Sequence, residues 1–138
     1  MVWSPPPKSW IKLNFDAAIH VEKTIVAVVG RDTVGNLLLA WPEQFESGNS
    51  LLGEVRVAWY AMRCAMNEGF HNIILEGDVW NVIELLKKSD VTSHWSIRSI
   101  LEDILFFANC FSNVEFYFVH RKGNVSTHLL AQRAALVN

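Results

Sequence analysis

Three acidic residues fall where a packed core does not accept an isolated charge. Asp16 ends an alternating run, Glu54 lies in the first turn of a predicted helix, and Asp78 follows a short apolar run. In an open sheet with helical crossovers, strand ends and the starts of the following helices converge on one edge, where ligand sites form. The sequence therefore predicts that these three carboxylates lie close together.

A gathering of three carboxylates favours a bound cation, because the negative charges otherwise repel one another. Hard oxygen ligands select Mg²⁺ or Mn²⁺. Two such ions, roughly 3.5–4 Å apart, can activate a water molecule and stabilise the leaving oxygen of a phosphodiester. The three acids therefore give the hydrolysis of a nucleic-acid backbone a physical basis.

Each acid also has a purely structural interpretation. Asp78 is a good N-cap for the helix predicted to follow it. Glu54 in a first helical turn would interact favourably with the helix dipole. Asp16 can be a solvated strand end, although Asp is a poor strand residue. The spacing and order of the three acids together favour the metal site over these separate explanations.

Hydrophobic periodicity predicts the elements that position the acids. In chain order these are strands at 10–16, 24–31 and 37–41, a helix at 51–68, a strand at 73–75, a helix through 86, a helix at 95–110, a strand at 114–118 and a helix at 124–136. Gly69 is a favoured C-terminal cap for the first helix. The order predicts an α/β fold with a five-stranded mixed sheet, three antiparallel strands followed by parallel ones, flanked by helices.

The composition suits one compact domain of residues 10–138, preceded by an extended proline-rich lead-in at 1–9. Of the 138 residues, 51% are hydrophobic, enough for a sizeable core. The net charge of −2 excludes a large basic field, so contacts with nucleic acid must be local or metal-mediated. Cys64 and Cys110 form no CxxC or Cys/His cluster, which argues against zinc and disulfide scaffolds.

The chain lacks the features of a secreted or membrane protein. Its first residues have no charged and apolar signal-peptide pattern, and no apolar run approaches the roughly 20 residues that a membrane span needs. We therefore expect no membrane partner. Together with the cysteine usage, this favours an intracellular protein, nuclear or cytoplasmic, and we expect it to be a monomer.

The sequence resembles the plant ribonuclease H-like domains, which are related to type 1 ribonuclease H and to the domain that trails reverse transcriptases. The resemblance covers nearly the whole chain and rests on an ordered set of motifs: WIKLNFD at 10–16, RDTVGN at 31–36, Glu54, EGD at 76–78 and the segment 124–131. It implies a ribonuclease H-like fold. It also implies that Asp16, Glu54 and Asp78 match the first three acids of a four-carboxylate site that cleaves the RNA strand of RNA–DNA hybrids.

The chain departs from this family pattern at the fourth acid. Four residues after the matching Asn124 it has His128 in place of the usual carboxylate. A neutral imidazole can ligate Mn²⁺ or orient a water molecule, but it is a poor direct ligand for Mg²⁺. The alternative is that His128 is a solvent-facing helix residue with no role. The resemblance therefore implies reduced or metal-shifted activity.

A second departure concerns the glycines that the family commonly has after its first Asp and before its second strand. Ala17 follows Asp16 here, and residues 24–27 lack glycine. Such glycines allow the backbone to approach the ribose, whose 2′-hydroxyl distinguishes RNA from DNA. Two hypotheses follow. One is a two-metal ribonuclease in which Asp16 bridges both ions and Glu54 and Asp78 each bind one. The other is a degenerate module that binds nucleic acid or a protein partner.

Four residues are candidates for direct contact with an RNA–DNA hybrid or another nucleic acid: Asn14, Arg121, Lys122 and Asn124. The loop at 120–123 precedes the last predicted helix, so it can contact a phosphate or help a proton to move near the site. An ordinary basic surface loop is the alternative interpretation. Packing at the core or its edge explains the six tryptophans better than base stacking does.

Overall fold

The computed structural model of the chain describes residues 5–19, 23–35, 37–46, 50–88 and 97–120. Their elements, in chain order, are β1 (Ile11–Ile19), β2 (Lys23–Arg31), β3 (Leu37–Glu46), α1 (Ser50–Asn67), β4 (Asn72–Gly77), α2 (Trp80–Lys88), α3 (Arg98–Ala108) and β5 (Asn113–Phe118). The helix predicted at 124–136, and with it the candidate residues Arg121, Lys122, Asn124 and His128, lies outside the described residues.

The strands form one five-stranded sheet in the order β3-β2-β1-β4-β5. β1 pairs with β2, and β2 with β3, in antiparallel fashion, whereas β1–β4 and β4–β5 are parallel. The predicted five-stranded mixed sheet is therefore confirmed. β3 continues past the predicted end at residue 41, and Pro42 pairs with Ala27. An edge strand accepts proline because one of its sides has no ladder hydrogen bonds to lose.

One face of the sheet packs against the helices because β1 alternates along its length. Leu13 and Phe15 belong to the buried core cluster, together with Val55, Ala58 and Met62 of α1. The helical spacing of these α1 residues produces one apolar stripe that covers β1, β2 and β4. The core thus lies between the sheet and α1, as the periodicity predicts.

The end of α1 is fixed by Gly69. This glycine has φ +74°, and the amide of Phe70 donates to the carbonyl of Ala65 at 3.2 Å. The left-handed conformation and the bond back into the last turn are those of a glycine C-cap. The predicted role of Gly69 is confirmed, and the cap turns the chain directly towards β4.

The two other described helices complete the same face of the sheet. α2 packs on β5, and α3 packs on α1 with Leu101 and Ile104 buried. Within the described ranges, none of the helices combines the length and the apolar character that crossing a membrane requires.

The turn that joins β2 to β3 also holds the N-terminal lead-in. The amide of Val34 donates to Oδ1 of Asp32 at 3.1 Å, and Gly35 has φ +85°. The Thr33 hydroxyl donates to the carbonyl of Pro7 at 2.8 Å. The lead-in therefore lies against this turn at Pro7.

Candidate functional site at the ends of β1 and β4

The parallel register of β1 and β4 brings two of the three predicted acids to one edge. The last paired residues are Phe15 and Gly77, and the next residue on each chain is Asp16 or Asp78. Asp16 is buried, at 3% exposure, and Asp78 is half-buried with its Oδ2 out of contact with water. Two carboxyl groups thus leave adjacent strands at the same level of the sheet.

Glu54 lies on the helix that covers this part of the sheet. α1 packs against β1 and β4, and Glu54 is half-buried at its fifth position. The sequence placed this residue in the first helical turn, but α1 begins at Ser50 and its first turn contains no acid. The helix dipole acts mainly on the first turn. It therefore accounts poorly for a carboxylate at this position.

The capping interpretation of Asp78 is also weakened. α2 begins at Trp80, and the amide of Ile83 donates to the carbonyl of Val79 at 3.2 Å. The residue whose carbonyl accepts the first helical bond is the N-cap. Val79 holds that position, one residue after Asp78.

The donor chemistry of this edge suits a hard divalent cation, because all three candidate ligands are carboxylates. Among the described residues, however, no three His, Cys, Asp or Glu side chains form a group that could hold a metal ion as they stand. In the structure Asp16 and Asp78 each follow the last register pair of β1 and β4, and Glu54 lies on the helix packed against β1. Joint ligation by all three stays a prediction.

A buried polar triad of Lys12, Asn14 and Glu76 lies immediately before the two aspartates. Nζ of Lys12 is 3.2 Å from Oε2 of Glu76, and Nδ2 of Asn14 donates to Oε1 of the same carboxylate at 2.9 Å. All three residues are buried. A buried charge requires a partner of opposite charge and hydrogen bonds to its remaining atoms. Glu76 has the ammonium group of Lys12 beside Oε2 and the hydrogen bond from Asn14 on Oε1.

The triad joins β1 to β4 two residues before the acids. Asn14 and Glu76 are register partners, and Asp16 and Asp78 follow them on the same two strands. The Asn14 amide donates to Glu76 and is only 2% exposed, and the contact with nucleic acid predicted for Asn14 stays a prediction. In the structure Asn14 ties the strands together. Sequence reasoning missed Glu76, whose role depends on this register.

Gly77 allows β4 to lie close against the Phe15 ring of β1. A Cβ on Gly77 would lie 2.8 Å from Cε2 and Cζ of the Phe15 ring. Because Phe15 is itself buried, its ring has little room to withdraw. A residue without a side chain is therefore needed between Glu76 and Asp78.

An aromatic row, formed by the exposed Trp80 and His120 with the half-buried Phe118 between them, flanks the same edge. Ring centroids are 5.3 Å apart for both Trp80–Phe118 and Phe118–His120, with edge-to-face angles of 78° and 80°. Phe118 is the register partner of Gly77, and the amide of Val119 donates to the Gly77 carbonyl at 2.9 Å. Trp80 is 55% exposed, so packing at the core or its edge, which the sequence predicts for the six tryptophans, does not account for this residue.

The profile of a protein family described as reverse transcriptase-like matches residues 14–134 of the chain. The chain belongs to this reverse transcriptase-like family. The match includes the strand that carries Asp16, the helix that carries Glu54 and the edge that carries Asp78. A search of curated proteins gives no match.

Solved structures confirm the ribonuclease H-like fold of this reverse transcriptase-like domain. Ribonuclease H1 of the halophilic archaeon Halobacterium salinarum is 20% identical, with a TM-score of 0.86, over 94% of this chain and 99% of that one. The N-terminal ribonuclease H domain of a Mycobacterium tuberculosis protein is 16% identical, with a TM-score of 0.80, over 92% and 96%. LC11 ribonuclease H1, solved with an RNA/DNA hybrid and isolated from compost, is 13% identical, with a TM-score of 0.79, over 91% and 99%.

Proposed function

We propose that this protein is a metal-dependent endoribonuclease that hydrolyses the RNA strand of RNA–DNA hybrids. The observation that supports the proposal is the β1–β4 register, because its last pair, Phe15 and Gly77, is followed directly by Asp16 on one segment and Asp78 on the other. The structural similarity to a ribonuclease H1 that was solved with an RNA/DNA hybrid supports the choice of substrate.

The chain's own residues have distinct parts in this proposal. Asp16 and Asp78 hold Mg²⁺ or Mn²⁺ from two adjacent strands, and Glu54 adds a ligand from α1. The ions, two in number, supply Lewis acidity and an activated water molecule when bound. Two neighbouring carboxylates, one of them buried, repel each other unless a cation lies between them. The polar triad keeps the strands that carry them in register.

The residues outside the described ranges complete the proposal. His128 acts as an auxiliary ligand or positions water, and Arg121, Lys122 and Asn124 contact the nucleic acid. With an imidazole ligand, activity should be greater with Mn²⁺ than with Mg²⁺, and it should fall as the pH drops through about 6.5, where free imidazole protonates. His128→Asp should raise cleavage supported by Mg²⁺. A flat pH profile together with no effect of the substitution would place His128 outside the site.

Cleavage of a labelled RNA–DNA hybrid tests the proposed function. The full chain is incubated with Mg²⁺, with Mn²⁺ or with a chelator, beside the Asp16→Asn and Asp103→Asn variants. Asp103 is an exposed acid on α3, so its variant makes the same charge change away from the site. We expect Asp16→Asn to lose more than about 100-fold in rate, since even residues that only support a metal ligand are worth roughly 10–100-fold. Asp103→Asn should cleave as the wild type does.

A second candidate is a catalytically silent module that binds nucleic acid or a protein partner. The position of His128 at the fourth acid, together with the lack of a ready three-ligand group among the described side chains, favours it. Folded wild-type protein that cleaves nothing with either metal would overturn the nuclease. Retained hybrid binding in that case would support the silent module.

A further inference from the structure

The aromatic row places one exposed apolar side chain, Trp80, close to the candidate site. Four large hydrophobic side chains are strongly exposed in the described part of the chain: Val34, Trp80, Phe106 and Tyr117. Of these, Trp80 is separated from Asp78 by a single residue. Tryptophan is enriched at interfaces because its large apolar ring also carries a hydrogen-bond donor, so an exposed tryptophan beside a polar site is a candidate for contact with a ligand.

The row is held in place by its own contacts. Trp80 opens α2, whereas Phe118 ends β5, so the edge-to-face contact between them joins two elements. His120 makes a second edge-to-face contact with Phe118. A ring fixed in this way loses little conformational freedom when a ligand packs on it. Trp80 is therefore both exposed and pre-organised.

The position of Trp80 determines what can reach it. Two residues of chain span at most about 7 Å, so Trp80 lies within that distance of Asp78 along the backbone. A nucleic-acid strand held at Asp16 and Asp78 must pass over the same edge of the sheet. A protein partner on the row would compete with that strand for the edge.

The charge of the chain favours the same occupant. With a net charge of −2 the protein offers no broad basic field to hold a polyanion. An aromatic ring can contact a sugar or a base edge without neutralising a phosphate, so the contact does not depend on a basic field. The wide, shallow minor groove of an A-form helix exposes its sugars to such contacts.

We propose that Trp80, supported by Phe118 and His120, contacts a nucleotide of the nucleic acid bound at Asp16 and Asp78. The inference rests on the proposed function and adds a subsite to it. The contact is apolar, so it raises affinity without neutralising a phosphate. It supplies part of the affinity that a weakly acidic chain cannot gain from charge.

A binding experiment with a labelled RNA–DNA hybrid tests the contact. Fluorescence anisotropy measures the binding, and Ca²⁺ replaces Mg²⁺ so that binding is separated from hydrolysis. We compare the full wild-type chain with Trp80→Ala, Trp80→Phe and Phe106→Ala. Phe106 is an aromatic residue, 67% exposed against 55% for Trp80, near the C-terminal end of α3, where the chain turns towards the start of β5. It lies at the other end of β5 from Phe118, so its variant is the matched control.

We expect Trp80→Ala to raise Kd about tenfold, which is within the range for one aromatic contact with a nucleotide. Trp80→Phe should recover most of the affinity, and Phe106→Ala should bind as the wild type does. The slope of log Kd against log salt should stay the same in Trp80→Ala, because counterion release depends on contacts with phosphate.

Two results would overturn the inference, and they are distinguishable. If the wild type binds the hybrid and Trp80→Ala binds it equally well, the contact is wrong and the proposed function stands. If the folded wild type does not bind the hybrid at all, the proposed function and the contact fail together.

Discussion

The two faces of β1 are both buried but consist of opposite kinds of side chain. Leu13 and Phe15 on one face pack into the apolar core, whereas Asn14 and Asp16 on the other are polar and equally inaccessible, at 2–3% exposure. On the apolar face, removal from water is itself stabilising. On the polar face each group is stable only with its partners.

This difference explains how a site can be held rigidly inside a small domain. An apolar face tolerates changes that conserve volume and hydrophobicity. A polar face fails when one partner is removed, because the group left behind stays buried. The residues that position Asp16 and Asp78 are therefore expected to be more sensitive to single substitutions than their exposed counterparts.

The largest effect is expected from breaking the buried ion pair of the polar triad. Lys12→Met removes the ammonium group beside Glu76, and we expect it to lower the free energy of unfolding by about 3–5 kcal/mol. Urea denaturation followed by circular dichroism measures the change. The double variant Lys12→Met/Glu76→Gln removes both charges and should recover most of the stability. A single variant within about 1 kcal/mol of the wild type would contradict the importance of the pair.

A smaller loss is expected where the two faces meet, at Gly77. Gly77→Ala places a methyl group against the Phe15 ring, and overpacking of a buried site costs about 1–3 kcal/mol. The same denaturation experiment measures it. Adding Phe15→Leu relieves the contact, so Gly77→Ala should cost less in a Phe15→Leu background than in the wild type. Equal costs in both backgrounds would show that the clash is not the cause.

The exposed pair on α3 sharpens the comparison with the triad. Arg98 Nε lies 3.0 Å from Oε1 of Glu102, closer than the buried pair, but the side chains are 58% and 54% exposed. Solvent screening limits such pairs to a few tenths of a kcal/mol. Arg98→Ala should therefore change stability by less than about 0.5 kcal/mol. A loss comparable with that of Lys12→Met would mean that burial does not separate the two pairs.

The smallest effect is electrostatic and local to β5. The Tyr117 hydroxyl donates a hydrogen bond to Glu115, which raises the pKa of Tyr117 above its ordinary value, with burial and charge repulsion from Glu115 adding to the shift. Glu115→Gln should lower this pKa, since the amide does not repel a phenolate. Spectroscopic titration of tyrosinate measures the shift. An unchanged titration would remove Glu115 as the cause.

Much of the fold follows from the sequence because local patterns determine it. Alternation in β1 indicates two faces, and Gly69 indicates the end of α1. β3 extends beyond the predicted end at residue 41, because Pro42 is tolerated at the edge position that β3 holds in the sheet, and the sequence does not reveal that position.

The site was predictable only in part, because some of its contacts depend on strand register rather than on local patterns. The order of elements brings Asp16 and Asp78 to one edge, as the sequence suggests. The triad could not be seen, because Lys12 and Asn14 meet Glu76 only through the register of two strands about 60 residues apart. The exposure of Trp80 was missed because periodicity does not tell how the first residue of a helix meets a neighbouring strand.

Calorimetric titration with Mn²⁺ tests most directly whether Asp16 and Asp78 form one metal-holding edge. The full chain is compared with Asp16→Asn, Asp78→Asn, the double variant and the exposed control Asp103→Asn. Our account predicts that each single variant weakens binding roughly tenfold or more and that the double variant loses less than the sum, because residues that share a ligand are not additive. Asp103→Asn should bind as the wild type does. Binding by Asp16→Asn or Asp78→Asn that equals the wild type would contradict the account.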